Sequence, residues 1–179
     1  MKKNILIFGL ISGLIVSGLI SITAICYSKQ DFEGNMVLGF TVMILAFIFV
    51  FVGIKNYRDK FNNGNITFGK ALQIGLSISF IASTMYVITW LIAYYNFMPD
   101  FMEVMTAQSI EKIKLNKELT STEMNQQIAG INNMKDLYKS PIMVVLLTYM
   151  EILPFGIIVT LISSLILKRK QKNDLNFAS

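Results

Sequence analysis

PIMVVLLTYMEILPFGIIVTLISSLILKRK, residues 141–170, decides how this chain folds. Residues 142–167 are apolar apart from one charge, Glu151, and the run then meets Lys168, Arg169 and Lys170. A bilayer core of about 30 Å needs roughly 20 apolar residues in a helix. The run is long enough and has no polar stripe, so it reads as a membrane span and not as the amphipathic helix of a soluble bundle. Toward the N-terminus, residues 5–27, 36–54 and 71–97 repeat the pattern, with the dense charge confined between them. The expected fold is an all-α membrane protein with four transmembrane helices, forming a single membrane domain over 1–179. The composition agrees, since 54% hydrophobic and 15% charged residues exceed what a soluble domain of this size buries. The partner implied first is the lipid bilayer.

Lys2 and Lys3 ahead of the first run resemble the start of a signal peptide. The apolar stretch is longer than the usual core of about 7–15 residues, and no small-residue cleavage site follows it. It reads as an uncleaved first helix.

Charge orients the spans. Segments on one side hold Lys2, Lys3, Lys55, Arg58, Lys60, Lys70, Lys168, Arg169, Lys170 and Lys172 against Asp59 and Asp174, a net +8. The other side holds six lysines and eight acids, a net −2. Lysine and arginine near helix ends stay on the cytoplasmic side, so both termini are expected there, N-in/C-in. The formal net charge of +5 is read as membrane orientation, with no nucleic-acid partner. Tyr27, Trp90, Tyr94, Tyr95 and Phe97 are expected at the outer interface and Tyr57 at the inner one.

Residues 28–35 are expected to turn outside, and 55–70 to form the inner loop with Asn62-Asn63-Gly64-Asn65 as its turn. Thr67 is the expected N-cap of the third span, and Pro141 opens the fourth, where no N–H is needed. Residues 98–140 form the one large segment outside the membrane, expected as an extracytoplasmic helical hairpin. Phe101, Met105 and Ile113 mark one apolar face, and Met124, Ile128, Ile131 and Met134 the other. Thr120-x-x-Glu123 has the spacing expected of a capping box. The hairpin either caps the bundle or binds a membrane or extracytoplasmic protein.

Helices in lipid associate through close packing, so small residues mark their seams. Gly9, Gly13, Ser17 and Ser21 recur every four residues in the first run; Ala71, Gly75, Ser79 and Ser83 do so in the third. Gly39, Ala46 and Gly53 mark the second run, and Gly156, Thr160 and Ser164 the fourth. These seams serve either one chain or a homo-oligomer.

Chemistry is scarce. There is no histidine, and Cys26 is alone, which removes the common general base and zinc sites built on Cys and His. No cofactor or metal is implied. Residues 64–71, GNITFGKA, fall one residue short of a phosphate-binding loop, because Ala71 stands where Ser or Thr must bind magnesium. Glu151 is different. A carboxylate near mid-bilayer is costly, so it is expected to face the bundle interior, protonated or paired. Pro154 beside it cannot donate to the carbonyl of Met150. Candidate partners are Ser83, Thr84, Tyr86, Thr89 and Tyr149. Glu151 either locks two helices by a hydrogen bond or handles a proton or ligand. Acid–base catalysis needs a second positioned group, and no other ionisable residue lies in a span, so no enzyme is expected.

Several stretches together resemble a known family. They are residues 43–47 (MILAF), 53–59 (GIKNYRD), 66–71 (ITFGKA), 99–101 (PDF), 151–154 (EILP), 161–163 (LIS) and 168–170 (KRK). In this order they are similar to the bacterial membrane proteins grouped as domain of unknown function 4199. The resemblance implies a multi-pass protein of the bacterial cytoplasmic (inner) membrane and supplies no activity. The expected function is that of a non-enzymatic structural or accessory component. The alternative is a small transporter or proton-coupled module using Glu151 in a kinked fourth helix.

Overall fold

The computed structural model describes residues 1–27 and 36–169, the side chains at 23, 26, 27, 36–40 and 42 excepted. The expected turn at 28–35, the Tyr27 ring, the Cys26 thiol, the packing of Gly39, and Lys170, Lys172 and Asp174 lie outside the described residues. Six helices occur among the described residues: α1 (Lys2–Tyr27), α2 (Met36–Phe61), α3 (Phe68–Asn96), α4 (Phe101–Leu115), α5 (Ser121–Leu137) and α6 (Pro141–Leu167). No strand occurs among them, and Ile66 and Arg169 form an isolated antiparallel bridge. By length and composition, Lys2–Ile22, Phe68–Asn96 and Pro141–Leu167 are apolar enough to cross a membrane.

The local signals explain most boundaries. The Lys70 N–H donates to Thr67 Oγ1 (3.3 Å), so Thr67 caps α3. Pro141 occupies the first position of α6, and the helix runs on through Pro154. The inner connection is shorter than expected, because α2 continues past its apolar run to Phe61. It stops where Asn63 and Gly64 turn left-handed, with φ of 49° and 75°. The Gly64 N–H returns to the Arg58 carbonyl (2.9 Å), closing the helix end. Gly64 accepts that φ without the steric cost a Cβ would bring.

The chain clusters into two compact units. The first comprises Met1–Leu19, Asn35–Tyr86 and Glu151–Ser179. Its contacts define helix directions. Asn4 Nδ2 donates to the Gly53 carbonyl (2.9 Å) and Ser12 Oγ to the Ala46 carbonyl (2.8 Å), so α1 and α2 run antiparallel. Gly9 lies against Ile81 and Gly13 against Met85, so α1 and α3 run parallel. Gly75 lies against Thr160 and Gly156 against Ser79, so α3 and α6 run antiparallel. The core of this unit is filled by Val16, Phe47, Val50, Ile54, Ile74, Ile78 and Ile152.

The second unit comprises Ile20–Gly34 and Val87–Met150. It contains the α4–α5 hairpin. Lys135 Nζ on α5 reaches Glu103 Oε1 on α4 at 3.8 Å.

Candidate functional site

The seam between α3 and α6 consists of small and hydroxylated side chains. Ser79 Oγ donates to the Gly156 carbonyl (3.2 Å) and lies 3.1 Å from Thr160 Oγ1. Ser79 and Thr160 are fully buried there, and so are Ser83 and Ser164, each one turn further along its own helix. Such bonds between helices in lipid contribute on average about 0.6 kcal/mol each. The seam is therefore held mainly by the close backbone approach that Gly75 and Gly156 permit.

The small-residue stripes of α1 and α3 do not mate with each other. Gly9 and Gly13 receive the larger Ile81 and Met85, while Gly75 and Ser79 face α6. Ser17 is half-buried and Ser21 exposed. Two polar contacts were not anticipated from the sequence, those of Asn4 and Ser12 with α2. Their signal was present: Asn4, just ahead of the apolar run, and Ser12 within it are eight residues apart, about 80° round the helix and so on one side of it.

Glu151 differs from expectation. It is exposed on the surface of the first unit. Its neighbour Ile152 is fully buried and takes the core-facing position. Successive helical residues are about 100° apart, and this step takes Glu151 off the core-facing side that Ile152 occupies. Among the described residues Glu151 has neither a hydrogen bond nor an ion pair. Of its expected partners, Ser83 and Tyr86 are buried, and the Thr84 hydroxyl donates to the Phe80 carbonyl (2.8 Å) of its own helix. Thr89 and Tyr149 belong to the second unit. Pro154 is exposed like Glu151.

In the second unit, two of the aromatic residues expected at the outer interface, Trp90 and Tyr94, pack against the hairpin. Trp90 packs edge-on against Phe101 (5.2 Å between centroids) and stacks with Tyr94 (6.1 Å). Tyr94 also meets Tyr138 (5.8 Å), so α3 grips both the entry and the exit of the hairpin. Tyr95 and Phe97 remain exposed. Within this unit a cleft of about 410 Å³ is lined by Ser21, Ala24, Ile92, Ala93 and Phe97, among others.

The hairpin is mostly exposed, and α5 buries no residue. Its N-terminus is closed by the capping box. The Thr120 N–H donates to Glu123 Oε2 (2.9 Å), and the Glu123 N–H donates back to Thr120 Oγ1 (3.3 Å). The Thr120 N–H, followed by its hydroxyl, holds the Glu123 carboxyl below its ordinary value of 4.5. Replacing Thr120 with alanine is expected to cost α5 about 1 kcal/mol. Acid is expected to have a related local effect. A depressed carboxylate stabilises the fold above its unfolded value, and the contribution is lost as pH falls through the folded one. Protection from amide exchange in the first turn of α5, taken relative to the intrinsic rate at each pH, should therefore fall below the usual carboxylate range in the wild type. In Thr120→Ala it should be low already at neutral pH.

Residues 64–71 form the turn, the Thr67 cap and the start of α3. A helix and not a strand precedes them, which is not the setting of a phosphate-binding loop. A family model described as "Protein of unknown function (DUF4199)" matches residues 6–169. No curated protein and no solved structure matches the chain.

Proposed function

The chain belongs to the DUF4199 family of proteins of unknown function, and from that premise we propose a non-enzymatic structural or accessory component of the bacterial cytoplasmic membrane. In this reading α1, α2, α3 and α6 cross the bilayer with both termini inside, and the α4–α5 hairpin stands outside to meet a membrane or extracytoplasmic partner. Three of these helices have the length and composition for a span. The fourth, α2, carries the uncharged run 36–54.

One observation carries the reading: the basic residues of the first unit gather at one end. Asn4 meets Gly53, and Ile66 exchanges backbone bonds of 3.0 and 2.8 Å with Arg169. These contacts bring together the chain ends and turns that carry Lys2, Lys3, Lys55, Arg58, Lys60, Lys70, Lys168 and Arg169. Asp59 is the acid among them, and its hydrogen bond from Arg58 (2.6 Å) holds its carboxyl below the ordinary value. Such a basic end is what the cytoplasmic face retains. The transporter alternative needs Glu151 on an internal path. Its outward exposure favours the accessory reading.

Thiol labelling tests the topology. In a Cys26→Ser background, Lys60→Cys and Glu118→Cys are expected to behave oppositely toward an impermeant maleimide in intact cells. Residue 118 should react, and residue 60 should react only after permeabilisation. The reverse pattern would overturn the orientation. Photo-crosslinking from residues 110–135 then tests the hairpin, and failure to capture a specific protein would remove the partner role.

A further inference from the structure

The face of α6 that bears Glu151 is the feature that neither the packing of this chain nor the reading above accounts for. Glu151 lies ten residues after Pro141, about 15 Å along the axis at ~1.5 Å per residue, roughly half the thickness of a bilayer core. Glu151 is an exposed residue, on the same side of α6 as Pro154, Ile158, Ile162 and Leu165. The three last are 54%, 52% and 53% exposed. Within a bilayer this face meets lipid chains or another transmembrane helix. Lipid chains offer a carboxyl neither a counter-charge nor a hydrogen bond, and an ionisable group left against them is costly.

The occupant follows from charge. Every lysine and arginine of this chain lies outside its apolar runs. A second copy in the same orientation would bring another Glu151 to this depth and no cation. We propose that the Glu151 face of α6 is a docking surface for a transmembrane helix of a different protein, one that carries a lysine or arginine near mid-bilayer. The apolar rows beside Glu151 supply packing, and the acid–base pair supplies depth register and choice of partner. Arginine and lysine in spans are rare for the same energetic reason as glutamate, so a helix bearing one finds here a counter-charge that lipid denies it. This deepens the accessory reading and rests on α6 crossing the bilayer.

The test uses the full chain in zwitterionic phosphatidylcholine vesicles. Its probes are synthetic Leu-rich single-span peptides carrying a central Lys, Leu or Glu and a fluorescent acceptor. Flotation of the chain with the vesicles and the labelling pattern above are measured first. If those fail, the membrane reading fails, and docking is not the cause. With them in hand, the Lys peptide is expected to associate roughly tenfold more strongly than the Leu peptide, the scale of a polar contact between helices in lipid. Glu151→Gln keeps the shape and removes the charge, and should abolish the difference. Glu151→Lys should reverse it, so that the Glu peptide becomes the preferred partner. That reversal is a readout a purely structural acid would not give. Equal binding of Lys and Leu peptides to the wild type would overturn the proposal. So would disulfide crosslinking of Glu151→Cys, in the Cys26→Ser background, between two copies as the main association.

Discussion

Replacing Gly156 with leucine is expected to separate α3 from α6 and to be among the most damaging single substitutions in the first unit. A Cβ at Gly156 would stand 2.8 Å from Ser79 Cβ and 3.0 Å from Phe47 Cε1. The Ser79 Cβ is fixed to its backbone and cannot swing aside as the tip of a long side chain could. The helices must therefore move apart. That movement also breaks the bond from Ser79 Oγ to the Gly156 carbonyl. Overpacking of this kind costs about 1–3 kcal/mol, and the lost contact of α3 with α6 adds to it. Gly18→Leu in α1 is the control, because nothing lies within 4 Å of a Cβ built there. Leucine also favours a helix over glycine by most of about 1 kcal/mol. Unfolding of the purified protein in mixed micelles of rising SDS content reads both. The midpoint should fall sharply for Gly156→Leu and hold or rise for Gly18→Leu. Equal midpoints would show that close packing at Gly156 does not hold α3 to α6.

The second large effect is expected from Trp90→Ala. Trp90 packs against Phe101 and Tyr94, and Tyr94 continues the cluster to Tyr138. The remaining ties of the hairpin are weaker, for α5 buries no residue and the Lys135–Glu103 pair is long and exposed. Truncating a buried tryptophan costs about 3–5 kcal/mol, and the low end applies because Trp90 is half-buried. At about 3 kcal/mol, amide exchange across 101–137 should accelerate roughly a hundredfold. Trp90→Phe should recover most of the protection. It keeps a ring in place, and Trp90 Nε1 has no hydrogen-bond partner among the described residues, so no bond is lost. Unchanged exchange in Trp90→Ala would show that the hairpin is held elsewhere.

Local signals were readable where they act within a few residues. Thr67, Pro141 and the Thr120–Glu123 box each satisfy or remove a backbone N–H at a helix start, and all three stand where the sequence put them. The end of α2 was read too early. The apolar run stops at Ile54, but Lys55–Phe61 holds neither glycine nor proline to stop a helix, and the left-handed pair Asn63 and Gly64 ends it. The aromatic residues after Val87 suit a membrane interface by type, but which of them a distant segment covers is not a local property. The hairpin covers two of them, Trp90 against Phe101 and Tyr94 against Tyr138, while Tyr95 and Phe97 stay exposed.

By itself the sequence determined that the chain is helical, where its helices start, and which segments have the length and composition to cross a membrane. Those properties are sums over neighbouring residues: apolar transfer, backbone capping, and the distribution of charge at helix ends. The rotation of each helix about its own axis was decided only by the tertiary structure. Helix α6 is apolar nearly all round and has no polar side to mark its outside. Small residues on α1, α3 and α6 offer several seams of similar quality. Only packing distinguishes them, pairing Gly9 with Ile81 and Gly75 with Thr160. The same packing chose Ile152 for the core and left Glu151, one step round the helix, facing out.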